Sequence, residues 1–474
     1  MSMEMPALIP LTKSFRNKQG WTTLRQASIL AESPELAELV PVVAREIEIL
    51  LEGSPEPAAD VRAIVHLRLD TALNREQYRI TIERNVEVSG GSYSAVAAAT
   101  TVLLQLMSDT GELPYCHIED EPDLPYRGLL LDVARQRHSP DMIRQMIDLC
   151  RLYRLSHLHL HLTDNESFTF PLAAYPHIPT PNRHYSRQEL TELVEYAHKR
   201  GIQLVPEIDL PGHSRRLNEA EPGIFTSGFG EAHGNVICLG SPDVFEAVAT
   251  ILDEVCEVFR YSEYVHIGGD ETNMSFYDNC PVCRKGMERF SPSNAESLLR
   301  DYVIRAAEVV KRNGKKAIVW EGFSDDAGIE IPSDITVVAW ESYYNTPDQL
   351  DAAGFTLINA SWKPLYATPT KHWPPEEIYA WNSRRWGNYW EKSKAYLNPI
   401  QLDESFRPLG MQFCSWENEE KHQIDLLHLR VPAMAERAWN ERHQVDWPIF
   451  AQMLEQLDRK TIKLLEKGNK LPGS

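Results

Sequence analysis

The stretch YRGLLLDVARQRHSPDMIRQMIDLCRLYRLSHLHLHLTD, residues 126–164, decides how the chain folds. It opens on the apolar run GLLLDVA (128–134) and closes on the alternating run HLHLHLTD (157–164). Between them Ser139 is a good N-cap and Pro140 suits a first helical position, while Met142, Ile143, Met146, Ile147 and Cys150 recur at helical spacing. Strand, amphipathic helix and strand in that order make a parallel βα unit. The same alternation continues through IQLVPEID (202–209), YVHIGGD (264–270), AIVW (317–320), ITVVAW (335–340), FTLINA (355–360) and MQFCSW (411–416). Eight such units over about 320 residues predict a (β/α)8 TIM barrel, with an open doubly wound sheet as the alternative of similar alternation.

Upstream the pattern differs. Residues 20–115 mix short β-rich runs, VHLRL (65–69) and YRITI (78–82), with one helical stretch, SAVAAATTVLLQLM (94–107), after the turn signal Gly90-Gly91-Ser92. This predicts a small α/β accessory domain over 1–122, closed by the link EDEPDLPYRG, and a catalytic barrel with C-terminal helices over 123–474. No internal repeat or low-complexity tract is present.

Composition narrows the function. The 474 residues, 43% hydrophobic, are enough for a large core. A formal charge of -20 from dispersed acids repels nucleic acid and anionic membranes and suits a neutral or cationic ligand. The amino terminus, MSMEMPALIPLTKS, carries Glu4 and two prolines where a leader needs a basic start and an unbroken apolar run. No segment approaches the roughly 18 apolar residues of a membrane span. Seven scattered cysteines read as reduced thiols. A cytoplasmic protein is expected.

In a barrel, reactive residues sit at the carboxyl ends of strands. Asp164, Glu207, Asp209, Asp270, Glu271, Trp320, Trp340 and Trp416 all fall at or just past such ends. Polar residues after a strand are commonly loop starts or helix caps, but their recurrence around the predicted barrel favours a site.

The sharpest case is HIGGDE (266–271). Consecutive strand residues point to opposite faces, so Asp270 and Glu271 share one pocket only if the chain turns there. Even so, neighbours cannot straddle a sugar ring, as the two carboxylates of an ordinary retaining glycosidase must at roughly 5 Å. One of the pair must have a different task.

In HLHLHLTD, His157, His159 and His161 share a strand face, and an H-x-H pair can hold a divalent metal, although buried imidazoles are commonly hydrogen-bonded core groups. Trp320 and Trp340, ending later strands, cannot ligate metal. In EIDLPGHS (207–214), Asp209 and His213 are spaced to form a carboxylate-imidazole pair. Cys280-Pro-Val-Cys283 lacks a second pair and is at best half a zinc site. Trp362, Trp373, Trp381, Trp386 and Trp390 crowd the connection after the seventh run, and flat apolar faces suit sugar rings.

Six motifs, DLPYRGLLLDVAR (123–135), HLHLHLTD, EIDLPGHS, HIGGDE, AIVWEGF (317–323) and RVPAMAERAW (430–439), resemble in order those of the β-N-acetylhexosaminidases of glycoside hydrolase family 20. The amino-terminal unit is similar to that family's accessory domain. The resemblance implies a retaining exo-enzyme that removes terminal N-acetylglucosamine or N-acetylgalactosamine by substrate-assisted catalysis, with no cofactor and no metal. Glu271 then corresponds to the general acid and base, and Asp270 to the residue that orients the 2-acetamido nucleophile. Asp164, Asp209 and His213 match the polar network behind the acid. Trp320, Trp340 and Trp416 match the walls of the acetamido pocket, and Tyr366 matches the tyrosine on its carbonyl. Arg127 matches the arginine that binds sugar hydroxyls, although the strand reading puts it at the start of its strand.

Three departures stand out. Asn418, with Glu417 beside it, occupies the place of a frequent glutamate on distal hydroxyls, Ala367-Thr368 follows Tyr366 in place of Leu-Asp or Leu-Asn, and Asn165 replaces an aspartate. The rival readings are a metal-dependent barrel hydrolase using His159 and His161, and a non-catalytic N-acetylhexosamine-binding protein.

Overall fold

The computed structural model describes residues 6–54, 63–226, 234–324, 328–442 and 445–468. Glu4, on which the reading of the amino terminus turned, lies outside them.

The amino-terminal unit is a six-stranded mixed sheet. Its strands run, edge to edge, Ser14–Thr23, Glu112–Asp120, Tyr78–Ile82, Val86–Gly90, Ile64–Leu69 and Ser28–Ala31. Helix Tyr93–Leu106 packs on it, started by Ser92, whose hydroxyl accepts the Ala95 N–H at 3.2 Å. A second long helix, Val40–Leu51, was not expected. Its β-branched residues and Pro41 argue against a helix locally, but the proline sits in the first turn, where its missing N–H costs nothing.

All eight predicted barrel strands form: Tyr126–Asp132, His157–His161, Gln203–Leu210, Tyr264–Gly268, Lys316–Trp320, Thr336–Ala339, Thr356–Asn359 and Gly410–Ser415. Each pairs in parallel with the next, and the eighth pairs in parallel with both the seventh and the first. The sheet is therefore closed, which settles the barrel against the open alternative. Its strands are buried on both faces almost throughout, as helices outside and packed side chains inside require.

The two units interlock. Glu436 accepts the Leu11 N–H at 2.7 Å, Asn440 donates to the Leu11 carbonyl at 2.8 Å, and Trp439 Nε1 donates to Asp120 at 3.1 Å. The last helix, Trp447–Lys467, packs on both Val40–Leu51 and Pro140–Leu152. Among the described residues no helix is long and apolar enough to cross a membrane.

The connection before the eighth strand is partly ordered by short elements. Residues Tyr366–Ala367 pair with Cys414–Ser415, which carries Tyr366 to the carboxyl end of the barrel. Trp386 is wholly buried and donates its indole N–H to the Ala339 carbonyl at 3.0 Å, so this tryptophan is core.

Candidate active site

The fourth strand ends at Gly268, and the chain then turns as the paired carboxylates require. Gly268, Gly269 and Glu271 have φ of 77°, 110° and 45°. A side chain on Gly268 would drive into Asp209 Oδ1 and the Leu210 backbone, so only glycine fits between the third and fourth strands. The positive φ at Glu271, and another of 44° at His213, are held conformations of the kind that cost about 1–3 kcal/mol and persist where the surroundings over-determine them. The turn brings Asp270, Glu271 and His213 together, with a ligand-capable atom of each within 4.8 Å of the others. Both carboxylates thus stand on one side of the site.

His213 Nε2 lies 3.2 Å from Glu271 Oε2 and 3.8 Å from Asp270 Oδ2, while Nδ1 meets Asp164 Oδ1 at 3.2 Å. Burial alone would favour neutral His213, but Asp209, Asp164 and Glu271 hold it well above its ordinary value. Glu271, its side chain 52% exposed, is kept low by that histidine. Asp270 is pushed up to about 6 by burial, against the opposing pull of His213. Asp209 is pushed well above the carboxylate range, first by burial and then by Asp270. A proton held on Asp209 relieves its repulsion with Asp270 and leaves Asp270 the more acidic of the two.

Behind this pair lies a network that the sequence only hinted at. Glu207, wholly buried, accepts from His161 Nδ1 at 2.7 Å and from the Trp320 indole N–H, and lies 3.1 Å from both His159 Nε2 and His266 Nδ1. His161 Nε2 reaches Asp164 Oδ2 at 2.9 Å. Burial opposes the charge on His161, but Glu207 and Asp164 hold it well above its usual value, so both ring nitrogens carry protons and donate. His161 is therefore tied into two carboxylates, whereas His159 lies against Glu207 with its Nδ1 3.4 Å from Gln412 Oε1, and His157 pairs with Ser156 Oγ at 2.7 Å. Asp164 stays ionised despite burial because His161 and His213 both donate to it.

Beside the carboxylates, four aromatic rings make a box. Trp320 packs edge-on to Trp340 at 6.1 Å and tilted against Trp416 at 5.9 Å. Tyr366 stacks on Trp340 at 6.2 Å and reaches Trp416 at 6.1 Å. Asn418 is buried and spends its amide on the Ala367 carbonyl, 2.9 Å, and Ser415 Oγ, 3.0 Å. Glu417 is exposed, with φ 62°, and lines an open cleft of about 730 Å³ with Arg135, Gln136 and Glu166.

One expected residue is elsewhere. Arg127 lies near the amino end of the first strand, donating to the carbonyls of Arg154, Leu124 and Pro125 and to Glu76, with its guanidinium 5.1 Å over the Trp439 ring. It lines a cavity of about 260 Å³ at the opposite end of the barrel, so the sugar-binding assignment is corrected. The arginine that does reach the site is Arg135, eight residues on. It lies 2.7 Å from Asp164 and 3.3 Å from Asp132, with its guanidinium 5.4 Å over the Trp416 ring. Position decides between them: Arg127 precedes the strand's apolar run and Arg135 follows it. Glu341 was also missed. Burial, with the fields of Glu321, Glu271 and Asp270, pushes its carboxyl up to about 8, so a third, neutral acid stands near the pair. Its place directly after Trp340 is the signal that could have found it.

The family model for the glycosyl hydrolase family 20 catalytic domain matches residues 124–442, and that for the family's domain 2 matches residues 5–121. A β-hexosaminidase of Akkermansia muciniphila is 28% identical over 424 residues, spanning 81% of this chain and 83% of that protein. A β-N-acetylhexosaminidase of Cellulomonas fimi is 27% identical over 483 residues, spanning 91% and 89%. In fold, the chain superimposes with a TM-score of 0.80 on a GH20 exo β-N-acetylglucosaminidase from Vibrio harveyi solved with N-acetylglucosamine, at 21% identity over 99% of this chain and 79% of that one. With both family models matched end to end along the accessory sheet and the barrel, the chain belongs to glycosyl hydrolase family 20.

Proposed function

We propose that the protein is a retaining exo-β-N-acetylhexosaminidase that removes terminal β-linked N-acetylglucosamine or N-acetylgalactosamine with the substrate's own 2-acetamido group as nucleophile. The observation that carries this reading is the placement of Asp270 and Glu271 on one side of His213, beside the aromatic box. Carboxylates on adjacent residues that meet the same histidine face the site together rather than from opposite sides of a glycosidic bond, so the nucleophile comes from elsewhere.

The acetamido group, small, flat and partly apolar, fits among Trp320, Trp340, Trp416 and Tyr366. Its carbonyl oxygen attacks the anomeric carbon as the bond to the leaving oxygen breaks. Glu271 gives its proton to that oxygen, and substrate covering the half-exposed carboxyl raises its proton affinity by desolvation. Asp270, kept anionic by the proton on Asp209, accepts the acetamido N–H and stabilises the positive charge that spreads onto the five-membered intermediate. Glu271 then takes a proton from water, which opens that ring from the same face and retains configuration. Arg135 and Glu417 border the cleft on the side of the sugar hydroxyls, and Asn418 acts through the backbone of Ala367.

The test compares aryl β-glycosides of N-acetylglucosamine, N-acetylgalactosamine and glucose. The two acetamido sugars should turn over, and the glucoside, which lacks the nucleophile, should not. Comparable hydrolysis of the glucoside would end the substrate-assisted reading, and binding of the acetamido sugars without turnover would leave a binding protein. A cytoplasmic site of action accords with seven buried cysteines, none in a disulfide. Cell fractionation checks it.

A further inference from the structure

Cys280-Pro-Val-Cys283 gains a third member in the fold. Cys238, 42 residues upstream of Cys280, places its sulfur 3.8 Å from that of Cys280 and 3.6 Å from that of Cys283. All three side chains are buried, and all three sulfurs lie within 4.8 Å of one another.

The sulfurs come from two adjacent loops of the site. Cys238 lies in the connection that leaves the third strand, tied by its N–H to the Phe225 carbonyl at 2.8 Å. Cys280 and Cys283 bracket the start of helix Pro281–Met287, in the connection after the fourth strand, nine residues beyond Glu271 at their nearer member. The loops meet backbone to backbone. A Cβ on Gly240 would fall 2.5 Å from the Val282 carbonyl oxygen and 2.6 Å from Cys283 Cα, so glycine is required where the sulfurs converge. The Cys283 N–H donates to Cys280 Sγ at 3.3 Å.

Zinc bound by thiolates has Zn–S of about 2.3 Å, so the sulfurs of a tetrahedral site lie about 3.8 Å apart. Thiols in van der Waals contact reach a similar spacing, and spacing alone does not separate the two. Three further features favour a metal: three sulfurs meet at one point, two come from a C-x-x-C turn, and a backbone N–H points at a sulfur as around thiolate ligands. We infer that Cys238, Cys280 and Cys283 hold a structural zinc ion that pins the loop carrying His213 to the loop carrying Glu271. One further donor completes the tetrahedron. The ion stands outside the chemistry of glycoside cleavage and acts by positioning.

The experiment uses the full chain, purified reduced and without chelator. Elemental analysis should find about one zinc per chain. Cys238→Ser and Cys283→Ser should lose most of it, whereas Glu271→Gln should keep it while losing glycosidase activity, so the failure of either proposal is visible separately. Because a cysteine variant can fail to fold, the wild-type chain is also loaded with Co²⁺ after zinc removal. Strong thiolate-to-cobalt charge transfer with tetrahedral d–d bands supports the site. Zinc below a tenth of an equivalent after reconstitution, cobalt uptake without the charge-transfer band, or full zinc in a folded Cys283→Ser variant would each overturn it.

Discussion

Replacing His213 by Gln tests how Glu271 holds its proton. The imidazole lies 3.2 Å from the Glu271 carboxyl and 3.2 Å from Asp164. Unit charges at that distance attract by about 1.3 kcal/mol at the dielectric of water and by about 5 kcal/mol at an effective value near 20. With Glu271 52% exposed, solvent screening puts the interaction toward the lower end, about 1–2 kcal/mol or roughly one pKa unit. Two groups coupled this way titrate as a pair. Between the pair's two titration steps one proton is shared, and the fraction of enzyme with that proton on Glu271 does not change with pH, because moving it between partners leaves the total unchanged. The upper step is that of His213, held well above its ordinary value. Wild-type kcat/KM on a substrate with a poor leaving group should therefore be flat from about pH 6.5 to 8. In His213→Gln the proton on Glu271 must come from solvent, and above the ordinary Glu value of about 4.3 its population falls tenfold per pH unit. The assay is a kcat/KM profile on an alkyl β-N-acetylglucosaminide over about pH 5 to 9, with circular dichroism to show the variant folded. A variant profile parallel to that of the wild type from about pH 6.5 to 8 would refute the shared-proton reasoning.

Four other outcomes are expected. Asp270 must be ionised to hold the acetamido group, and its carboxyl sits at about 6, so kcat/KM should fall as pH drops through that value; Asp270→Asn should lose activity and the acid limb with it, as the pH profile checks. Glu271→Gln should lower the rate by about 10²–10⁴ on alkyl glycosides and much less on activated aryl glycosides in the glycosylation step, measured by pre-steady-state kinetics. Arg127→Ala should leave kcat/KM near wild type yet destabilise the fold by about 1–3 kcal/mol, read by denaturant unfolding, because it strands buried carbonyls at the barrel's amino end. Arg135→Ala should lower kcat/KM by about 10- to 150-fold, the loss of a charged hydrogen bond worth about 1.5–3 kcal/mol.

Apolar period and strand ends made the eight barrel strands and most of the reactive rim legible in the amino-acid order, since both depend on neighbours along the chain. The order of residues also exposed the problem posed by Asp270 and Glu271, because adjacency limits how far apart two carboxylates can stand. Three things waited for the closed barrel. Motif matching took Arg127 for the sugar-binding arginine although it begins its strand, and strand direction in space puts Arg135, not Arg127, at the carboxyl end where the site lies. The histidines of HLHLHLTD gave no sign in their spacing of whether a metal or a carboxylate would face them, and the third strand brought Glu207 against His159 and His161. Cys238 joined Cys280 and Cys283 only through the contact of two loops. Local pattern states which face a residue takes on its own strand; which residues from other strands meet it there is set by the closure of the sheet, which brings together positions tens to hundreds of residues apart.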